Sequence, residues 1–272
     1  MTLPASPPKL RVLRLATRHT GVLSDNGDHL FAAHYALSFY TANAIYTLIP
    51  KNACTTMRYT LAVANGAITG PAQFNWIHDN NHSFKASLED LARTQYSFTI
   101  LRDPFRRIAS CYLDKIAGLT PAAWDFHKLS GYAIAPELLS FRDFVSGLGG
   151  MLRYGNEHWI AQLNFLVYQD YDDYFCLEDF ARVTEVLRQR AGIEVLDARG
   201  LGKHGADQFT APEGDEFYGD IPAHEIAALK RAGRLPRAEQ MYDNALAEQV
   251  RTLYAPDIAF YREKTGRSCL FT

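Results

Sequence analysis

The chain has 272 residues, 47% hydrophobic and 21% charged, which is ordinary for a globular protein and enough to bury a core without staples. Its formal net charge of -2 excludes the whole-molecule basic field of a nucleic-acid binder, so any anion site is local. The four cysteines, Cys54, Cys111, Cys176 and Cys269, match neither a zinc spacing nor a disulfide framework and read as reduced thiols of a cytosolic protein.

Residues 1–20 are Pro-rich and then basic, without an apolar run of signal-peptide length. Residues 1–27 read as an extended arm ending in an Asn26-Gly27 turn, and residues 28–272 as one domain. The stretch 29–49 is apolar but interrupted by His34, Ser38, Thr41, Asn43 and Thr47, so it reads as a buried helix followed by a strand and not as a transmembrane segment. Residues 44–49 form a β-rich run ending at Pro50, and Met57, Leu61 and Ala64 mark a helix over 55–64. Ser87 opens a helix with acidic residues in its first turn.

Residues 96–101 are a second strand. Asp103 as N-cap and Pro104 as first helical residue open a helix to Lys115 or Gly118. Strand, helix, strand, helix predicts an α/β fold with a short parallel sheet flanked by helices. Residues 118–155 are less regular, with a helix after Ser140 and a break at Gly149-Gly150. A short strand over 174–177 and an amphipathic helix over 178–191 follow, the latter with Phe180, Val183, Val186 and Leu187 on its apolar face. Residues 200–222 read as a loop, 223–232 and 238–254 as helices, and Pro256 opens a last helical segment.

Two basic motifs carry the chemistry. The first is Pro50-Lys51-Asn52-Ala53-Cys54-Thr55-Thr56-Met57-Arg58, between a strand and a helix. A helix N-terminus offers unpaired N–H groups and a positive dipole end, Lys51 adds a point charge, and Thr55 and Thr56 add hydroxyls. Asn52, Ala53 and Cys54 are small or polar enough for backbone amides to approach a ligand. A Walker A loop is excluded, because its glycines are absent and the lysine precedes the turn. The second motif is Arg102-Asp103-Pro104-Phe105-Arg106-Arg107, with Ser110 two turns into the helix. Its arginine fork suits phosphate.

Together the motifs resemble the sulfotransferases that use 3′-phosphoadenosine 5′-phosphosulfate, above all the carbohydrate branch that modifies chondroitin and dermatan. Pro50-Lys51 to Thr55 is similar to that branch's 5′-phosphosulfate loop, with Met57 where an aromatic is usual. Arg102-Asp103-Pro104-Phe105, Ser110, Tyr112 and Asp114-Lys115 are similar to its 3′-phosphate motif. His158-Trp159 with Gln162, residues 171–180 and residues 251–261 extend the likeness over roughly 44–262.

The resemblance implies a P-loop-like sulfotransferase fold with additional helices over an acceptor cleft. It implies in-line transfer of a sulfuryl group to a hydroxyl of a glycan or other small molecule, without a metal. Lys51 would act on the bridging and sulfuryl oxygens. The amides of Asn52, Ala53, Cys54, Thr55 and Thr56, with the two threonine hydroxyls, would hold the 5′-phosphate. Arg102 and Ser110 would hold the 3′-phosphate.

The acceptor needs a base, and histidine titrates in the right range. His78 and His82 lie between the motifs, where related enzymes carry a base; His78 is the first choice, and Asp79 is a further candidate. His158 reads as structural or acceptor-lining, and His204 beside Lys203 as surface or ligand-touching. Lys230, Arg231, Arg234 and Arg237 read as a solvated face or an attractor for an anionic glycan. Cys54 reads as a small loop residue, not a nucleophile. The expected setting is a bacterial cytoplasm, with no nucleic-acid partner; one sequence leaves oligomeric state open. A kinase-like phosphotransferase and a non-catalytic nucleotide- or glycan-binding module are the rival readings.

Overall fold

The structure is a computed structural model that describes residues 10–80, 82–153, 155–202 and 208–271. Lys203 and His204 lie outside the described residues, as do residues 1–9 of the expected arm. The main elements are α1 (Gly27–His34), β1 (Ala36–Phe39), β2 (Ala44–Thr47), α2 (Cys54–Ala64), α3 (Trp76–Asp79), α4 (Leu88–Arg93), β3 (Tyr96–Leu101), α5 (Pro104–Cys111), α6 (Pro121–Leu129), α7 (Phe141–Gly147), β4 (Asp173–Cys176), α8 (Phe180–Ala191), α9 (Ala223–Arg231), α10 (Asn244–Leu253) and α11 (Ala255–Thr265). They fall into two compact units. One comprises Met1–Ile49, Ala53–Leu101 and Asn164–Leu201; the other comprises Pro50–Asn52, Arg102–Leu163 and Gly202–Thr272.

The first unit carries the sheet, in the order β1-β2-β3-β4. β2 pairs with β3 and β3 with β4 in parallel, as expected, with Ala44 opposite Tyr96 and Phe98 opposite Asp173. The sheet is not wholly parallel, because β1 forms an antiparallel hairpin with β2, Ala36 opposite Thr47. The expectation of a single helix-then-strand segment missed β1: each of its residues is buried, so the alternation that marks a half-exposed strand is absent. Asn43, at φ 43°, closes the hairpin in the left-handed region that asparagine tolerates. The outer edge of β1 is covered by a neighbouring segment, Ser38 N–H donating to Phe84 O at 2.9 Å and Ala86 N–H to Ala36 O at 2.8 Å.

Tyr46, Phe98 and Tyr96 stack across the central strands, with ring centroids 5.2 and 5.7 Å apart. Asn26-Gly27 opens α1 and is not a chain reversal; the Asn26 side chain accepts from His29 N–H at 3.0 Å. Ser87 caps α4 in a reciprocal box with Asp90. The described part of the N-terminal segment is tied down: Arg11 donates to Ser97 Oγ at 2.9 Å and Gln95 O at 2.7 Å, and pairs with Asp172 at 2.5 Å.

The second unit is built on α5. Asp103 Oδ1 accepts from Phe105 N–H at 2.8 Å and Arg106 N–H at 3.3 Å, and Pro104 takes the first helical position. Asp103 Oδ2 also accepts from Leu270 N–H at 2.6 Å, tying the far end of the chain to this helix start. After Cys111 the helix widens into a π turn, Tyr112–Ile116. It ends at Ile116, and at Gly118 just beyond a β-carbon would stand 2.1 Å from Asp114 O. Trp159 packs edge to face against both Phe126 and Phe144 in the core, and Tyr254 donates to Trp159 O at 2.5 Å. The helix expected over 238–254 is divided: a short turn, Ala238–Met241, precedes α10, which starts anew because Asp243 accepts from Leu246 N–H at 2.8 Å. α6 lies in the region that reads as irregular.

Asp103→Ala removes, from a buried side chain, a helix cap and the acceptor for a distant amide. It is expected to cost about 2–3 kcal/mol and to lower Tm by roughly 5–10 °C, read by thermal denaturation.

Candidate active site

In the second unit the two motifs converge on Gln162, which is 2% exposed. Its Oε1 accepts from Asn52 Nδ2 at 2.6 Å and from Arg102 N–H at 3.1 Å, and its Nε2 donates to Arg102 O at 2.9 Å. Asp257 fixes the same turn, accepting from Gln162 N–H at 2.7 Å and Leu163 N–H at 3.1 Å. Arg107, 1% exposed, adds a second clamp by donating to Pro50 O at 3.1 Å and Ile160 O at 2.8 Å. A guanidinium spans such carbonyls well because its donors lie in one rigid plane.

Lys51, Arg102 and Ser110 line one cavity of about 320 Å³, with Arg106, Asp114, Phe209, Lys230, Arg237 and Glu239 also in its wall. That volume suits a small ligand. Five of these side chains are cationic and two are carboxylates, so the cavity is positive although the whole chain is not. Arg102 Nη1 donates to Lys51 O at 2.9 Å. Lys51 Nζ pairs with Asp114 Oδ2 at 2.7 Å, Lys115 Nζ reaches the same oxygen at 3.3 Å, and Arg106 pairs with Glu239 at 2.6 Å. Burial would raise the Asp114 pKa, but Lys51 and Lys115 outweigh it and hold the carboxyl well below the usual range. Asn52, 0% exposed, turns its side chain to Gln162.

The first-motif backbone departs from ordinary geometry. Lys51 has φ 74° and Ala53 φ 59°, both left-handed without glycine. In the first unit, Ala53 stands at the N-cap of α2, a helix start that no side chain caps among the described residues. Cys54, Thr55 and Thr56 form its first turn; Thr56 is buried and the other two are half-buried. Uncapped N–H groups at a helix start suit an anion.

His78 and His82 belong to the first unit. His78 is exposed on α3, edge-on to Phe74 with centroids 5.5 Å apart, above a small core of Tyr59, Phe74 and Ile77. His82 Nε2 lies 3.1 Å from His34 Nε2, with the rings 3.7 Å apart. The two candidate bases therefore have different surroundings, and the partnership with His34 carried no signal in the sequence.

His158 belongs to the second unit. Its Nδ1–H donates to Asn156 Oδ1 at 2.6 Å, and Asn156 Nδ2 donates to Asp125 at 2.8 Å. Burial and the charges of Lys115 and Lys51 push its pKa down to about 3, so it is neutral at ordinary pH. Lys230 and Arg237 both line the cavity; Lys230 is half-buried there, whereas Arg237, like Arg231 and Arg234, is exposed, in keeping with a solvated face. Among the described residues no group of three or more His, Cys, Asp or Glu is placed to hold a metal ion, and no helix is long and apolar enough to cross a membrane.

Residues 39–262 match the model of the sulfotransferase family, a stretch that runs through both units. The chain belongs to that family. It is similar to carbohydrate sulfotransferase 10 of Xenopus laevis, at 24% identity, over 75% of this chain and 68% of that protein. No solved structure matches this sulfotransferase-family chain.

Gln162→Leu keeps the size of the side chain and removes three hydrogen bonds, one buried and two partly buried, at the junction of the motifs. It is expected to cost about 3 kcal/mol and to lower Tm by roughly 6–12 °C, read by thermal denaturation beside a surface control such as Gln189→Leu.

Proposed function

We propose that the protein transfers a sulfuryl group from 3′-phosphoadenosine 5′-phosphosulfate to a hydroxyl of a carbohydrate acceptor. The observation that carries this reading is the shared cavity: Lys51 from one motif, and Arg102 and Ser110 from the other, line a single positive pocket of about 320 Å³. Family membership supports the reaction class, and the name of the Xenopus laevis relative supports a carbohydrate acceptor.

In this reading Arg102 and Ser110 hold the 3′-phosphate. The first-turn amides of Cys54, Thr55 and Thr56, the amides of Asn52 and Ala53, and the two threonine hydroxyls hold the 5′-phosphate. An acceptor oxygen attacks sulfur as the bond from sulfur to the phosphate oxygen breaks; the proton passes to a base, and adenosine 3′,5′-bisphosphate leaves. Lys51 exchanges its pairing with Asp114 for the oxygen on which leaving-group charge develops. His78 or His82 takes the acceptor proton.

Adenosine 3′,5′-bisphosphate at a hundred times its Kd is expected to raise Tm by about 5–10 °C. 5′-AMP and Mg-ATP are expected to do much less, and Arg102→Ala to abolish most of the shift. A preference for Mg-ATP would instead support a phosphotransferase.

Of His78→Ala and His82→Ala, the variant that removes the base is expected to lose about 10²–10⁴-fold in kcat while keeping the bisphosphate-induced shift. Full turnover in both would place the base elsewhere.

A further inference from the structure

The basic stretch at the end of α9 has no role in the two motifs, yet Lys230 stands in the wall of their cavity. Its ammonium lies 5.6 Å from the ring centroid of Phe209, another wall residue, so the side chain is directed over an aromatic face. A lysine that serves only solubility extends its head into water; Lys230 is half-buried.

The charges around it are unbalanced. Asp114 is the carboxylate that favours its charged form, but the same Asp114 oxygen already receives Lys51 at 2.7 Å and Lys115 at 3.3 Å. Burial, with Lys51 and Lys115, holds the Lys230 amine below the ordinary lysine pKa. Two ammonium groups already on Asp114 and a third in the same cavity wall form a focus of positive potential. A phosphate, carrying up to two charges, complements it in a way that one more carboxylate-sized ion pair does not.

We propose that Lys230 is an anion-binding residue of the donor site, gripping the 5′ end of the nucleotide together with Lys51; this rests on the donor reading above. Lys51 belongs to the motif assigned to the 5′-phosphosulfate, and Lys230 stands in the same cavity wall as Lys51 and its partner Asp114, which is the reason for giving Lys230 to the 5′ end. Its presence works against the free fold, because a group whose charged form is disfavoured in the folded state weakens that state at neutral pH. Removing the charge therefore acts in opposite directions on the free and the bound protein, a signature that a packing role does not produce.

The test is calorimetric titration of adenosine 3′,5′-bisphosphate and of 5′-AMP into the wild type, Lys230→Met, Lys230→Gln and Lys230→Arg, with the Tm of each free protein. Lys230→Met and Lys230→Gln are expected to lose about tenfold or more in affinity for both ligands. Lys230→Arg is expected to stay within a few-fold of wild type, and the two neutral variants to melt no lower than wild type when free. Wild-type affinity in Lys230→Met and Lys230→Gln overturns the proposal. So does a loss confined to the bisphosphate, which would move Lys230 to the 3′ end, or a lower free Tm that accompanies weak binding. Absence of bisphosphate binding by the wild type is a separate result that sinks the donor reading itself.

Discussion

The geometry of the second unit's cavity depends on a buried glutamine. Gln162 accepts from the side chain of Asn52 and exchanges two hydrogen bonds with the main chain of Arg102, so residues fifty apart in sequence are held by one amide. A neutral amide suits this place. It is donor and acceptor at once, and it adds no charge to a region where Lys51, Arg102, Arg106 and Arg107 already meet. A carboxylate would pair with those cations and compete with a ligand; an apolar residue would strand three buried polar groups. Asp257 holds the turn bearing Gln162 by accepting from two main-chain amides.

The electrostatics of the site are local by construction. A chain of net charge -2 has no long-range field to draw in a polyanion, so attraction comes from cations gathered in a partly enclosed space. Asp114 makes that gathering tolerable. The π turn after α5 carries Asp114 and Lys115 in one widened stretch, and the carboxylate is shared by two lysines at hydrogen-bonding distance. The close approach of Gly118 to Asp114 O shows how tightly this turn is packed, since no larger residue fits there.

What could be read from the sequence was mostly local. Asp103-Pro104, Ser87 and Ser140 announce helix starts through hydrogen bonds spanning two or three residues, and the structure has a cap at each. β2, β3 and β4 were legible from β-branched and aromatic runs. β1 was not, because a strand buried on both faces offers no periodicity, and its hairpin turn lacks a strong Gly signal. Asp243 is a cap signal inside a run that otherwise reads as one helix. At the site, Lys51, Arg102 and Ser110 stood out through their motifs. Phe209 did not, and Lys230 stood out only as part of a basic helix end, because both reach the cavity from far along the chain, where composition alone makes such a stretch look solvated.

The first motif enters the left-handed region twice without a glycine. Lys51 and Ala53 both sit in the left-handed region, where an L-residue costs roughly 1–2 kcal/mol. A glycine at either position would relieve that cost, but a glycine at 51 would also delete the ammonium. At 53, alanine narrows the unfolded chain's freedom, so part of the folded-state strain is offset by a smaller entropy loss on folding. The strain persists because the flanking residues are over-determined: Pro50 O is held by Arg107, Lys51 O by Arg102, and the Asn52 side chain by Gln162. Each of these partners lies in or beside the second motif. A loop held that firmly from outside needs no conformational freedom of its own, and the motif that supplies two of its clamps, Arg102 and Arg107, also supplies Arg102 and Ser110 to the cavity wall.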